Sequence, residues 1–159
     1  MTTTHLVFRI QPFPAAVLDS VRTTGLDEFG TPAERIVSEG GQPLRCCLRD
    51  SSPGDDLLLF GFRPALPVSP YREVGAVLVH AEPCTGPAET TTYPDDWRGR
   101  PQILRAYDDR GWIHDATTRH DGRHPERAIA DVLAQPGVVQ VHSRNIEWGC
   151  YMFTATRAY

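Results

Sequence analysis

The chain contains no lysine: all 16 of its basic residues are arginine, and its 20 acidic residues outnumber them, for a formal net charge of −4 at pH 7. Broad nucleic-acid binding depends on a basic surface, so this charge balance argues against a nucleic-acid partner. A cationic set made only of arginine is typical of a high-GC bacterial genome and indicates no mechanism by itself. We therefore expect a bacterial protein that does not bind nucleic acid.

Long apolar runs are also absent from the sequence. No run approaches the roughly 20 residues that a membrane-spanning helix needs. Residues 1–5 lack the charged start and the apolar segment of a signal peptide. We therefore expect a cytoplasmic protein without a membrane partner. Its cysteines should then be reduced thiols, and they are Cys46, Cys47, Cys84 and Cys150.

The common cofactor and nucleophile fingerprints are missing too. The sequence has no phosphate-binding loop, no glycine pattern for dinucleotides and no nucleophile elbow. We therefore expect no organic cofactor. The segment 85–101, rich in threonine, proline and glycine, is the longest stretch without periodicity, and such loops are often functional. Whether it forms a lid over a site stays open.

Hydrophobic patterning predicts about nine short strands and two helices. Pro14 and Gly25 bound the first helix, and Pro125 and Gly137 bound the second. Short turns between consecutive strands favour antiparallel pairing. The sequence predicts one domain over residues 1–159, of the α+β class, with a curved and mainly antiparallel sheet. The strands are expected at residues 4–10, 35–37, 44–48, 57–62, 76–81, 102–107 and 112–114, with a hairpin at the end.

The C-terminal segment 138–153 is typical of a β-hairpin, because two runs rich in β-branched and aromatic residues flank a short loop. Pairing Asn145 with Cys150 would leave a four-residue loop and place His142 among aromatic residues. Pairing Arg144 with Cys150 would leave a five-residue loop and separate apolar from polar side chains, so we prefer it. It predicts an apolar face of Val139, Val141, Tyr151 and Phe153, and a polar face of Gln140, His142, Arg144, Cys150 and Met152.

Several short motifs follow one another at characteristic spacings. They are 45–50, Pro53-Gly54, 70–73 with Gly75, 79–81 with Cys84, 105–108, and His142 to Asn145 with Gly149-Cys150-Tyr151. Together they resemble the small bacterial family called domain of unknown function 1203, over essentially the whole chain. The family commonly has Gly-Pro at 75–76 and an aromatic residue at 87, so the shape of loop 84–101 stays open. The resemblance implies a small single domain, and it implies little about function. It draws attention to His80, Cys84, His142, Arg144 and Cys150.

These side chains suit acid–base or thiol chemistry on a small anionic or carbonyl-containing metabolite. We expect a lyase, isomerase, cyclase or transferase of bacterial secondary metabolism, with its site on the C-terminal hairpin. The candidate catalytic residues are His142, Cys150, His80, Cys84 and Tyr107. The candidate substrate-binding residues are Arg144, Asn145, Arg72, Arg45, Arg105 and Tyr71.

Two other classes of function stay open. The pairs His80-x3-Cys84 and His142-x7-Cys150 could supply two imidazoles and two thiolates to zinc, although neither spacing is a known zinc-finger pattern. The sequence alone therefore assigns no metal ligand. A non-catalytic module that binds a ligand or a protein, a homodimer included, could instead use tryptophans as interface anchors. These are Trp97, Trp112 and Trp148, which could equally cap the core.

Two interpretations depend on strand geometry. Adjacent residues of a strand point to opposite faces, so a strand over 44–48 would prevent Cys46 and Cys47 from binding one metal. We interpret both as packing residues. If the face of Arg105 is covered, this arginine needs a carboxylate partner, because an unpaired buried charge is costly. The candidates are Asp50 and Asp108.

Overall fold

A computed structural model of the chain describes residues 7–158. The two α-helices of this part are α1 (Ala15–Thr24) and α2 (Pro125–Leu133), and a short 3₁₀ helix lies at Asp95–Trp97. The strands are β1 (Val7–Gln11), β2 (Glu34–Val37), β3 (Pro43–Leu44), β4 (Arg49–Asp50), β5 (Asp56–Phe62), β6 (Gly75–His80), β7 (Gln102–Tyr107), β8 (Thr118–His120), β9 (Gln140–Arg144) and β10 (Tyr151–Ala158). The first three residues of the strand expected at 4–10 lie outside the described residues.

The ten strands of residues 7–158 form three antiparallel sheets. A five-stranded sheet has the order β1-β10-β9-β7-β8, a three-stranded sheet has the order β2-β5-β6, and β3 pairs with β4. With the two helices, this confirms the predicted single-domain α+β fold with antiparallel strands. The strands form three sheets, whereas we had predicted a single sheet from the sequence.

Each helix covers a separate hydrophobic core. Helix α2 buries Ile129 and Leu133 against the five-stranded sheet, as its apolar stripe predicts. Helix α1 packs Val21 against the three-stranded sheet. It ends at Gly25, whose φ of 71° is the left-handed conformation that glycine adopts at little cost. Neither α-helix of residues 7–158 has the length and apolarity that crossing a membrane requires.

The C-terminal hairpin has a different register from the one we preferred. The Asn145 amide donates to the Cys150 carbonyl at 3.1 Å, and the Cys150 amide donates to Asn145 Oδ1 at 2.8 Å. Arg144 consequently pairs with Tyr151, not with Cys150. The loop is therefore the four-residue alternative, closed by the asparagine side chain.

A β-bulge between Tyr151 and Phe153 then shifts the pairing by one residue, so that His142 lies opposite Thr154. Tyr151 shares the face of His142 because it pairs with Arg144, two residues along β9 from His142. We had expected Tyr151 on the face of Val141. Met152 and Phe153 both join the core beside α2. Alternation along the sequence could not reveal this shift, because a bulge inserts one residue without changing the composition.

Strand β7 pairs with β8 and not with the expected strand at 112–114, which contributes one isolated bridge between Ile113 and Tyr107. The loop 85–101 packs Tyr93 and Trp97 into the core, where they are 1% and 0% exposed. Trp97 is therefore a core residue and not an interface anchor. Trp148, in the hairpin loop, is 86% exposed.

Candidate functional site

The turn between β3 and β4 carries two of the four cysteines. Over residues 45–48 the chain forms a turn, in which the Leu48 amide donates to the Leu44 carbonyl at 3.0 Å. Leu48 has a φ of 56°, a conformation that is uncommon for a non-glycine residue and that reverses the chain here. The interpretation of residues 44–48 as a strand was therefore wrong. The inference that Cys46 and Cys47 cannot meet at one point was wrong for the same reason.

Four side chains form what we call the thiol–imidazole cluster: Cys46, Cys47, His80 and Cys84. One ligand atom from each lies within 4.8 Å of all the others. The Sγ atoms of Cys46 and Cys47 lie 3.6 and 3.8 Å from His80 Nδ1. His80 is the last residue of β6, and Cys84 follows in the next loop. The first two thiols are buried, and the other two side chains are half-buried.

This donor set and its spacing suit a tetrahedral zinc ion. Three thiolates and one imidazole are a common ligand set of structural zinc. Zinc–sulfur bonds of about 2.3 Å and zinc–nitrogen bonds of about 2.0 Å place sulfur about 3.5 Å from nitrogen and about 3.8 Å from sulfur in a tetrahedron. The two sulfur–nitrogen distances from His80, 3.6 and 3.8 Å, agree with this geometry.

The surroundings of the cluster also suit a metal. His80 Nε2 lies 3.5 Å from Asp55 Oδ2, which favours a proton on Nε2 and leaves Nδ1 free to bind a metal. The His80 amide donates to Cys46 Sγ at 3.3 Å. Three thiolates around Zn²⁺ carry a net charge of −1, and the Arg49 guanidinium lies beside Cys47 to balance it.

Two of the three thiols in the cluster favour the thiolate form even without a metal. The hydrogen bond with Cys46 lowers the pKa of Cys47 to about 5, with Arg49 and His80 acting in the same direction against burial. The same hydrogen bond raises the pKa of Cys46, and burial adds to it. Burial opposes ionisation of Cys84, yet hydrogen bonds that include one with His80 lower its pKa. Burial also lowers the pKa of His80, but the neighbouring Cys84 and Cys47 raise it overall.

His142, which could have supplied a second imidazole to a zinc site with His80 and Cys84, lies apart from the cluster in the five-stranded sheet. It is 1% exposed, and its ring centroid lies 4.6 Å from that of Tyr107 and 5.4 Å from that of Tyr151. Its Nε2 lies 3.0 Å from Gln140 Oε1. Burial, followed by the charge of Arg144, lowers the pKa of His142 to about 3. The imidazole is therefore neutral at pH 7 and a weak proton acceptor.

Glu73 joins two of the arginines predicted to bind substrate. Its Oε1 accepts from Arg105 Nη1 at 3.1 Å and also pairs with Arg144 Nη2. The expected need of Arg105 for a carboxylate partner is confirmed, but both candidates for that partner were wrong. Those aspartates pair elsewhere, Asp50 with Arg100 and Asp108 with Arg110.

The remaining predicted residues separate into a cavity and the surface. The cavity has a volume of about 520 Å³ and is lined by Arg45, Asn145 and Cys150, among others. Tyr71 is exposed and packs against Trp112, with ring centroids 5.6 Å apart. Arg72 lines a separate hollow near α1. The hairpin residues His142 and Cys150 therefore do not form one site.

Sequence reasoning missed four residues of the cluster and its surroundings: Cys46, Cys47, Arg49 and Asp55. The two cysteines were identified in one motif, and His80-x3-Cys84 in another. Both motifs offered metal ligands, but we assumed a strand over residues 44–48 and therefore did not combine the two motifs into one site. Asp55 had no signal, because it follows a Pro53-Gly54 turn that already explained a polar residue there.

Comparison with known proteins identifies the family of the chain. No curated protein and no solved structure matches it. A family model described as "Protein of unknown function (DUF1203)" matches residues 41–157. The matched region includes the thiol–imidazole cluster, Glu73 and the C-terminal hairpin. Because it covers most of the chain, this protein belongs to the DUF1203 family, as its spaced motifs had indicated.

Proposed function

We propose that this protein binds one zinc ion through Cys46, Cys47, His80 and Cys84. A single observation carries the proposal: four ligand atoms, supplied by the turn 45–48, the end of β6 and the loop after it, lie within 4.8 Å of one another. Buried free cysteines ordinarily behave as small apolar residues, which gives them no reason to gather around an imidazole. Zinc binding accounts for the convergence of all four side chains.

The proposed centre is structural and not catalytic. Four protein ligands complete a tetrahedron, so no position is left for water or substrate. The ion would join the turn 45–48 to the end of β6. The same two segments are also linked by hydrogen bonds from the Arg45 amide to the Leu78 carbonyl at 2.9 Å and from the His80 amide to Cys46 Sγ at 3.3 Å. Metal binding requires deprotonated thiols, and the lowered pKa values of Cys47 and Cys84 reduce the competition from protons.

Zinc content tests the proposal directly. Protein purified without chelator, or reconstituted with Zn²⁺ and dialysed, should contain one zinc per chain by elemental analysis. Replacement by Co²⁺ should give the visible and near-ultraviolet bands of a tetrahedral thiolate complex. The variants Cys46→Ser, Cys47→Ser, Cys84→Ser and His80→Ala should each lose the metal or bind it far more weakly.

The chain offers matched controls for both ligand types. Cys150 is the one cysteine outside the cluster, and His124 is an exposed histidine at the start of α2. Cys150→Ser and His124→Ala should keep one zinc per chain. Wild-type protein that remains folded and metal-free after reconstitution would contradict the proposal, as would a Cys84→Ser variant with unchanged zinc affinity.

The small-molecule enzyme site that we expected from the sequence would lie in another part of the molecule. The cavity lined by Arg45, Asn145 and Cys150 supports a small-molecule ligand, since three predicted site residues meet there. The buried, neutral His142 lines neither this cavity nor the cluster. Turnover of a bound molecule stays a prediction.

A further inference from the structure

Two arginines of residues 7–158 are buried, and only one of them has a carboxylate partner. Arg144 is 8% exposed and pairs with Glu73. Arg45 is 4% exposed, and among the described residues no carboxylate lies within ion-pair distance of it. Its Nε donates to the Tyr151 carbonyl at 2.7 Å, and its Nη1 donates to the Pro43 carbonyl. An unpaired buried cation is expensive to maintain, which suggests that its anion comes from outside the chain.

Arg45 lines the cavity of about 520 Å³, a volume within the range of small-molecule sites. The other lining residues fall into two groups. Most of the wall is apolar, with Ile36, Leu59, Ala76, Val77, Leu78 and Trp148. A smaller polar part has Gln42, Asn145 and Cys150. Such a cavity, apolar with a few convergent polar groups, is typical of a ligand site.

The charge of Arg45 lies on the polar side of this cavity. Its guanidinium binds the Tyr151 carbonyl and is close enough to the Cys150 thiol to interact with it electrostatically. The guanidinium carries its charge at pH 7, since arginine does not lose its proton in proteins. A guanidinium has five N–H donors, and the two backbone carbonyls use two of them. The other donors are available to an anion.

We propose that this cavity binds a small organic carboxylate with an apolar body. The carboxylate pairs with Arg45, whose planar fork matches two carboxylate oxygens. The apolar body lies against Leu59, Leu78 and the indole of Trp148. The 86% exposed indole loses contact with water when a ligand covers it, which adds to the affinity. This inference goes beyond the zinc centre and does not depend on it.

The test compares acids with their own amides. The probes are 3-phenylpropionate and octanoate, each beside the corresponding amide, added to the wild-type protein. Binding is measured from the NMR shift of the Trp148 indole N–H, assigned with Trp148→Phe, and from protection of Cys150 against iodoacetamide. At least one acid should bind about tenfold or more tightly than its amide, because only the acid pairs with the buried charge.

Arg45→Gln should abolish the preference for the acid, whereas Arg123→Gln, at an arginine 80% exposed in its side chain, should leave it unchanged. If Arg45→Gln does not fold, the comparison of acid and amide in the wild type still decides. Equal affinities for acid and amide would overturn the proposal. So would unchanged acid binding by a folded Arg45→Gln, or no binding of either acid at millimolar concentration.

Discussion

His80 ends strand β6 and His142 lies in the middle of strand β9, each within a motif of the same family, yet the fold gives them opposite surroundings. His80 is half-buried and faces three thiols on one side and Asp55 on the other. His142 is 1% exposed and lies between the rings of Tyr107 and Tyr151. The pKa of His80 is raised by its thiol and carboxylate neighbours against burial, and that of His142 is lowered to about 3 by burial.

The comparison teaches that partners, and not residue type or motif, decide what a histidine can do. His80 is a candidate ligand because the turn 45–48 brings two thiols to its Nδ1. His142 has Gln140 on one ring nitrogen, and its buried Nδ1 has no hydrogen-bond partner in the described residues. We therefore regard the first region as a binding site and the second as part of the core. The experiments below test this division.

Removing zinc should have the largest effect. A ligand that binds only the native state stabilises it by RT ln(1 + [L]/Kd), and its removal should lower the free energy of unfolding by about 4 kcal/mol where zinc was present at a thousandfold its Kd. Urea denaturation with and without a chelator measures this difference. Cys150→Ser should lose as much as the wild type. Cys84→Ser should not respond to the chelator, and a wild-type protein with an unchanged urea midpoint would refute a structural role for zinc.

Exchanging the two histidines for alanine should separate stability from metal binding. His142→Ala should cost about 3 kcal/mol of unfolding free energy, since it leaves a cavity between two aromatic rings, and should keep one zinc per chain. His80→Ala should lose the zinc and, compared with chelated wild type, should change stability little. Parallel urea denaturation and elemental analysis give both quantities. Zinc loss in a folded His142→Ala would show that the two regions are not separate.

Local signals allowed much of the fold to be predicted from the sequence. Helices α1 and α2 begin beside Pro14 and at Pro125, and both carry the expected apolar stripe. Strand β5, apolar from Leu57 to Phe62, lies in the centre of its sheet as expected. These features depend on a few consecutive residues, whose propensities and spacing are visible in the sequence.

The grouping of the candidate site residues depended on local conformational exceptions, which sequence patterns do not show. Leu44, Cys46 and Leu48 alternate as strand residues would, but Leu48 takes a left-handed φ that packing within the core stabilises. The bulge after Tyr151 likewise placed Phe153 opposite Ser143, where a regular strand would have placed it opposite His142. One conformational exception in each case reassigned the side chains, so the identities of candidate residues could be predicted but not their groupings.

Acidification should destabilise the region around His142 in a defined pH window. Its pKa is about 3 in the folded protein and 6.5 when unfolded, so the unfolded chain binds more protons between these values. The contribution of the neutral His142 imidazole to the free energy of unfolding is fully present above pH 6.5. It is lost as the pH falls towards 3. Between pH 7 and pH 5 the loss should be about 2 kcal/mol.

The pH measurement is best made in a Cys84→Ser background, where zinc release cannot contribute. His142→Phe in that background should lose about 2 kcal/mol less between pH 7 and pH 5 than its parent, by urea denaturation at both pH values. Taking the difference cancels the other titrating groups, including His80, whose raised pKa contributes the opposite slope. Identical pH slopes in the two proteins would mean that His142 is accessible to protons in the folded state.

The smallest expected effect concerns Glu73, the carboxylate that pairs with Arg144 near His142. Glu73 is shared by Arg105 and the buried Arg144, and its side chain is 47% exposed. Glu73→Gln should therefore cost about 1 kcal/mol, more than an ordinary surface pair but less than a fully buried one. The control is Asp56→Asn, which removes the exposed ion pair between Asp56 and Arg35, 4.0 Å apart. This variant should cost less than about 0.5 kcal/mol. A Glu73→Gln protein as stable as Asp56→Asn would place Arg144 in solvent and remove it from the core around His142.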